Sequence, residues 1–113
     1  MVFPQSLEAL ASDQLGIFVR KMICISTYLR ACVAKRREDI IRQFGPDPLY
    51  QDARQLEALG REDQAREHAE EALKRLMEQP SLRALEYADE VETFFLNVVL
   101  PNAPIPVYPP VSS

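Results

Sequence analysis

The sequence has no tryptophan and is poor in glycine and histidine, with 3 Gly and 1 His among 113 residues. Glycines at positions 16, 45 and 60 are too far apart for a phosphate-binding glycine-rich loop. No serine lies in the Gly-x-Ser-x-Gly motif that exposes a nucleophile. The single His68 and the 2 cysteines are too few for a four-ligand zinc site. We therefore predict no enzyme activity, no cofactor and no bound metal.

Long apolar runs and targeting signals are also missing. Residues 22–29 are the longest uncharged run inside the predicted first helix, whereas crossing a bilayer takes about 20 apolar residues. The first five residues contain no basic region ahead of an apolar segment, as a secretory signal requires. Cys24 and Cys32 lie about 12 Å apart on one helix, too far for a disulfide within the chain. We expect a cytoplasmic protein without a membrane span.

The composition is that of one folded domain. Apolar residues make up 47% of the chain and charged residues 27%, which is ordinary for a globular protein. The net charge of −4 is unevenly distributed, since residues 1–46 carry +3 and residues 47–113 carry −7. A chain with two oppositely charged halves can pair with itself or attract a charged partner.

The first predicted helix, from about Ser12 to Phe44, has more apolar surface than one small domain can cover. Its apolar residues recur every three or four positions on several sides, and Gly45-Pro46 ends it. The three shorter helices cannot cover all sides of a helix about 48 Å long. We therefore predict a homodimer or partner interface on this helix, formed by Leu15, Phe18, Val19, Met22, Ile23, Ile25, Leu29 and Val33.

Start and stop signals predict three more helices. Asp47-Pro48 starts the second, which Gly60 ends. The third covers Glu62–Glu78, and the fourth runs from after Ser81 to about Leu100. No segment alternates between apolar and polar residues as a strand does. The predicted fold is all-α, a small bundle of about four helices in a single domain over residues 1–100.

Residues 49–77 resemble a single tetratricopeptide-type helical hairpin. The positions that carry the resemblance are Leu49, Ala53, Leu56, Gly60, Ala65, Ala72 and Leu73, while Asp52, Ala69 and Pro80 depart from the family pattern. The resemblance implies two antiparallel helices that approach closely through small residues, as in adaptor and chaperone proteins. We find no second copy of the repeat, and no family resemblance extends over the whole chain.

From Pro101 the composition changes, because 5 of the last 13 residues are proline. Such a segment cannot be helical, so residues 101–113 are predicted to form an extended tail. The tail carries no charged side chain, and its apolar side chains suit docking into a groove. The candidate docking residues are Ile105, Val107 and Tyr108, which pack either on their own chain or on another.

Lys35, Arg36 and Arg37 form the one basic cluster and would be the contact with nucleic acid. Two acidic residues follow directly, and no aromatic residue is interleaved for base stacking, which argues against that role. We interpret the chain as a non-catalytic protein–protein interaction module: an adaptor, an assembly chaperone or a small accessory subunit, acting as a homo-oligomer with an unidentified protein partner. The alternatives are a nucleic-acid-associated regulator and a helical subunit that contributes to another chain's enzyme site.

Overall fold

The computed structural model describes residues 13–106, which form three α-helices and no strand: α1 (Asp13–Phe44), α2 (Ala53–Glu78) and α3 (Leu82–Phe94). The ion pairs between Arg36 and Glu62 and between Arg30 and Glu70 show that α2 runs antiparallel to α1. The chain then returns along α3, parallel to α1. The all-α prediction is confirmed, but the number of helices is three rather than about four.

Helix α1 forms as predicted because its apolar residues repeat at helical spacing, and its largest buried side chains, Phe18, Met22 and Leu29, face the other two helices. The sequence Gly45-Pro46 ends it: Gly45 has φ of +78°, a conformation that residues with a Cβ atom rarely adopt. The N–H of Gly45 donates to the carbonyl oxygen of Ile41 at 2.8 Å, which satisfies one carbonyl of the last turn.

The two helices predicted on either side of Gly60 are a single helix, and that part of the prediction is wrong. Asp47-Pro48 starts only a 3₁₀ turn, Pro48–Tyr50, and the cap of α2 is Asp52, whose side chain accepts from the N–H of Arg54 at 2.9 Å. Leu49 is 87% exposed, so it does not belong to an apolar helix face. A glycine inside a helix costs about 1 kcal/mol, which the packing of α2 along α1 outweighs.

The start of α3 is confirmed, since the side chain of Ser81 caps it by accepting from the N–H of Ala84 at 3.1 Å. The chain continues as a π-helix, Phe95–Val99, in which the N–H of Leu100 donates to the carbonyl of Phe95, and as a 3₁₀ turn, Leu100–Asn102. Pro101 has no N–H and therefore cannot continue an α-helix. Helical structure thus runs two residues past the predicted domain end at residue 100.

The core lies along the common axis of the three helices. α1 contributes large side chains, whereas the facing residues of α2 are mostly alanines, so these two helices approach closely. The principal buried residues are Phe18, Met22, Ile25 and Leu29 of α1, Ala65, Ala69, Ala72 and Leu76 of α2, and Leu85, Ala88, Val91 and Phe95 on and after α3.

The continuous path of α2 through Gly60 makes a prediction about stability. Gly60→Ala should raise the free energy of unfolding by about 0.5–1 kcal/mol, because alanine is the better helix former and no atom lies within 4 Å of the added Cβ. Urea unfolding measures the change. Gly45→Ala is the matched control and should destabilise the protein, since its φ is positive. If Gly60→Ala also destabilised the fold, the helix would not pass through residue 60.

Candidate functional site

The side of α1 that points away from the other helices is an exposed and largely uncharged surface. We call it the outer face, and it comprises six exposed residues at successive spacings of three or four: Arg20, Ile23, Thr27, Ala31, Ala34 and Glu38. Residues at these spacings share one side of an α-helix. Neither α2 nor α3 covers this side, and Ile23 is 45% exposed on it.

The outer face carries charge only at its two ends. Among residues 13–106, Arg20 has no ion-pair partner, and Glu38 pairs only with Arg42, at 3.6 Å. Two neighbouring basic residues are used elsewhere, since Lys21 pairs with Glu92 at 3.3 Å and Arg30 pairs with Glu70 at 2.6 Å, whereas Arg37 is exposed beside the face. A positive end and a negative end therefore flank about 27 Å of helix, measured at 1.5 Å per residue.

Most of the predicted interface residues do not lie on the outer face. Five are buried in the core of their own chain: Phe18, Met22, Ile25, Leu29 and Val33. Leu15 and Val19 are half-buried against that core. Only Ile23 is on the outer face. The large apolar residues of α1 are covered because α2 is long enough to extend along them, which corrects the expectation that short helices leave them exposed.

The predicted basic cluster does not form one surface. Lys35 Nζ lies 3.2 Å from Asp39 Oδ1 within α1, and only Arg37 of the three is exposed. Arg36 is buried between the helices and pairs with Glu62, whose side chain is 2% exposed. Sequence reasoning missed this pair because Arg36 and Glu62 are far apart in sequence and each resembles a surface residue. The one available signal was the position of Arg36 on the apolar stripe of α1.

The Arg36 guanidinium joins three segments of the chain. Its Nη2 donates to Glu62 Oε2 at 2.8 Å and to the carbonyl oxygen of Asn102 at 2.6 Å. Its Nε donates to Glu62 Oε1 at 3.3 Å, and its Nη1 donates to Gln55 Oε1 at 2.8 Å. The two bonds to one carboxylate are the two-pronged geometry that arginine favours. Within the described residues, every buried side-chain nitrogen and oxygen has a hydrogen-bond partner.

Another set of contacts holds the start of the proline-rich tail against α1. The hydroxyl of Tyr28 donates to the carbonyl oxygen of Ile105 at 2.8 Å, and the rings of Tyr28 and Phe95 meet edge to face at 5.7 Å. Ile105, one of the three predicted docking residues, therefore contacts its own chain. Val107 and Tyr108, the other two, lie outside the described residues.

Burial near this contact raises the pKa values of two ionisable groups, Tyr28 and Cys32. Desolvation disfavours the charged phenolate and raises the pKa of Tyr28 to about 12, with a smaller contribution from Cys32. Burial likewise raises the pKa of the Cys32 thiol, and its hydrogen bond with Tyr28 opposes that shift. Cys32 is therefore a protected thiol at neutral pH. Cys24, eight residues earlier on α1, is exposed.

His68 lies in a groove of about 250 Å³ between α2 and α3, on the side away from α1. Its Nδ1 is 2.7 Å from the Tyr87 hydroxyl, and the Arg75 guanidinium lies 4.3 Å from the centre of the Tyr87 ring. Burial raises the pKa of Tyr87. Ala65, Val91 and Phe94 supply the apolar part of the groove. The groove therefore places the imidazole of His68 directly beside the phenol of Tyr87.

Over residues 13–106, no three His, Cys, Asp or Glu side chains are placed to hold a metal ion together. In the same part of the chain, no helix combines the length and apolarity needed to span a bilayer. Comparison with known proteins finds no matching family model, no similar curated protein and no similar solved structure. The tetratricopeptide resemblance of residues 49–77 thus stays a prediction.

The buried ion pair makes a second prediction. Arg36→Met should lower the free energy of unfolding by about 3–5 kcal/mol, because it leaves the Glu62 carboxylate buried without its partner. Arg36→Met with Glu62→Met should recover most of that loss, since no unpaired charge remains. Arg42→Met, which removes exposed pairs only, should cost less than about 1 kcal/mol. Equal effects of Arg36→Met and Arg42→Met in chemical denaturation would contradict the burial of the pair.

The raised pKa of Tyr28 leads to a third prediction, which concerns stability at high pH. Because the folded-state pKa of about 12 exceeds the ordinary 10.0, the contribution of this group to stability is complete below pH 10 and is lost as the pH rises towards 12. An ultraviolet absorbance titration should show tyrosine ionisation near pH 12, and Tyr28→Phe should remove one tyrosine from that step. Tyr50→Phe, at a residue 72% exposed, should leave it unchanged. Loss of the step in the Tyr50 variant would refute the assignment.

Proposed function

We propose that this protein is a non-catalytic protein–protein interaction module that acts as a homodimer through the outer face of α1. The observation that carries the proposal is the pattern of that face: its centre is uncharged, no other part of residues 13–106 covers it, and Arg20 and Glu38 lie at its two ends. A surface with opposite charges at its ends is complementary to a second copy of itself turned end to end.

An antiparallel pair of α1 helices would give each of the six residues of the outer face a partner on the other chain. With the two helices in opposite directions, Arg20 of each chain meets Glu38 of the other, and Thr27 meets Ala31. The bulky Ile23 then lies against the small Ala34. A large residue opposite a small one is how packed helices interdigitate. The two-fold arrangement repeats every contact, so each favourable pairing counts twice.

The size of the surface suits a moderate association rather than a permanent one. The centre of the face consists of small side chains, which permit close backbone approach but bury little apolar area per residue. Exposed ion pairs add about 0.2–1 kcal/mol each. We expect a dimer that exchanges with monomer, and a module of this kind serves an adaptor, assembly chaperone or accessory subunit. The cytoplasmic location remains a prediction.

The nucleic-acid alternative has less support than the dimer. Its proposed contact needed Lys35, Arg36 and Arg37 together, whereas Arg36 is occupied by Glu62 and Lys35 by Asp39. No particular contact favours a role as a helical subunit of another chain's enzyme site. An unidentified protein partner remains compatible with the dimer, because pairing through α1 leaves the groove between α2 and α3 open.

Charge reversal tests the antiparallel pairing. Arg20→Glu and Glu38→Arg should each weaken self-association about tenfold, since each places like charges together at both ends of the dimer. An equimolar mixture of the two variants should regain the affinity of the original chain, because opposite charges then meet at both ends. Analytical ultracentrifugation of each variant and of the mixture, at low salt, measures the dissociation constants.

Arg83→Glu is the matched control, because Arg83 is an exposed arginine on α3. It should not change the association. Ile23→Asp should give a folded monomer, since Ile23 is outside the core. A monomeric original chain at high micromolar concentration would refute the homodimer. A dimer that none of the α1 variants weakens would place the interface elsewhere.

A further inference from the structure

The groove between α2 and α3 combines an apolar lining with one unpaired negative charge. The buried residues Ala65 and Val91 belong to its lining, and the ring of Phe94, which is 38% exposed, lies at its surface. Glu90 is the one carboxylate in the lining, and its exposed side chain forms no ion pair within residues 13–106. Such a groove is complementary to a partner that brings apolar side chains together with a positive charge.

The charge of Glu90 acts inside the groove. Burial raises the pKa of Tyr87, and the positive charge of Arg75 opposes that shift. The negative charges of Glu71 and Glu90 add to it, so both carboxylates lie near the phenol. Arg75 is already paired with Glu71 at 3.3 Å. Glu90 is therefore the carboxylate at the groove that is left for a positive charge from outside, on a helix with four acidic residues and one arginine.

The two walls of the groove are held together before any partner arrives. His68 Nδ1 of α2 lies 2.7 Å from the Tyr87 hydroxyl of α3. The Arg75 guanidinium of α2 covers the other part of the same phenol, 4.3 Å from the centre of its ring. A surface whose side chains are already ordered loses little entropy when a partner binds.

The shape of the groove suits a helix. On α3 its lining extends from Tyr87 to Phe94, which is two turns or about 10 Å along the axis. A partner helix of about three turns covers this length, and its side chains enter the groove once per turn. Because α1 packs on the opposite side of α2 and α3, such a helix would be the fourth of a bundle.

We propose that the groove between α2 and α3 binds an amphipathic helix of a partner protein, which presents a lysine or arginine one turn from a large apolar side chain. Phe94 and Glu90 are one turn apart on α3, so the apolar side chain contacts Phe94 and Ala65 while the cationic group pairs with Glu90. The proposal rests on the proposed interaction module, because it names the kind of partner that the module takes. It does not depend on the homodimer, since the outer face lies on α1.

A synthetic peptide tests the proposal on the full chain. The probe has about 14 residues, with leucines along one side of its helix and lysines and alanines elsewhere. The control peptide has glutamate at every lysine position. Fluorescence anisotropy of the labelled peptides at low salt measures the dissociation constants. The lysine peptide should bind about tenfold more tightly than the glutamate peptide, because only the lysine peptide can pair with Glu90.

His68 reports where the peptide binds. It is the only histidine in the sequence, so its imidazole protons give NMR signals without overlap from another histidine. Because His68 lines the groove, these signals should shift as the lysine peptide is added, with the dissociation constant that anisotropy gives.

Two pairs of variants separate the charged contact from the apolar one. Glu90→Lys should weaken binding of the lysine peptide about tenfold, whereas Glu78→Lys makes the same change of charge outside the groove lining and should have less than about a twofold effect. Phe94→Gln should also weaken binding about tenfold, because it removes the aromatic contact. Leu96→Gln, at a residue 48% exposed and outside the lining, should not.

Equal affinity for the two peptides would overturn the proposal. Binding of the lysine peptide that leaves the His68 signals in place would also overturn it, because the contact would then lie elsewhere. The Arg20→Glu chain should bind the peptide as the original chain does, so loss of the homodimer and loss of the groove contact are distinguishable. His68 signals that shift with protein concentration in the Arg20→Glu chain would assign the groove to a second copy and refute the proposal.

Discussion

The buried pair of Arg36 and Glu62 is the contact on which the rest of the arrangement depends. A charge removed from water is tolerated only with an opposite charge and well-aligned hydrogen bonds. Only one register of α2 against α1 brings the Glu62 carboxylate to the Arg36 guanidinium. Likewise, only one placement of Asn102 brings its carbonyl oxygen to the same guanidinium. The pair thereby defines the register of α2 on α1 and the point at which the chain reverses. Apolar packing alone would tolerate neighbouring registers, because alanines repeat along α2.

The alanine face of α2 has a consequence on the far side of α1. Since Ala65, Ala69 and Ala72 project little, α2 lies close to α1 and the large residues of α1 complete the core. Two neighbouring helices cover only part of a helix surface. The opposite side of α1 is then left to solvent, and its central residues, Thr27 and Ala31, are small and uncharged. The close approach of α2 to one side of α1 and the exposure of the opposite side of α1 therefore have the same cause, the small side chains of α2.

Features set by local chemistry were predictable from the sequence, and features set by distant contacts were not. The spacing of Phe18, Met22 and Leu29 predicted α1, and Ser81 predicted the start of α3. Gly60 was predicted to end a helix, because a glycine's local preference does not include the packing that carries α2 through it. The buried position of Arg36 was missed for the same reason, since burial depends on Glu62, 26 residues away. Of the site, Ile23 was predicted, whereas the charged ends of the outer face became visible only with the ion pairs assigned.

The surface of α1 therefore divides into three strips with different surroundings. One strip enters the core, a second lies beside α3, where Lys21 pairs with Glu92 and Tyr28 meets Phe95, and the third is the outer face. Ion pairs run along the boundaries: Lys21 with Glu92 on the side of α3, and Arg30 with Glu70 on the side of α2. These pairs use Lys21 and Arg30, and the charged residues of the outer face itself are Arg20 and Glu38. Two charges placed at opposite ends define a direction, and a helix face with a direction can select an antiparallel copy over a parallel one, in which like charges would meet.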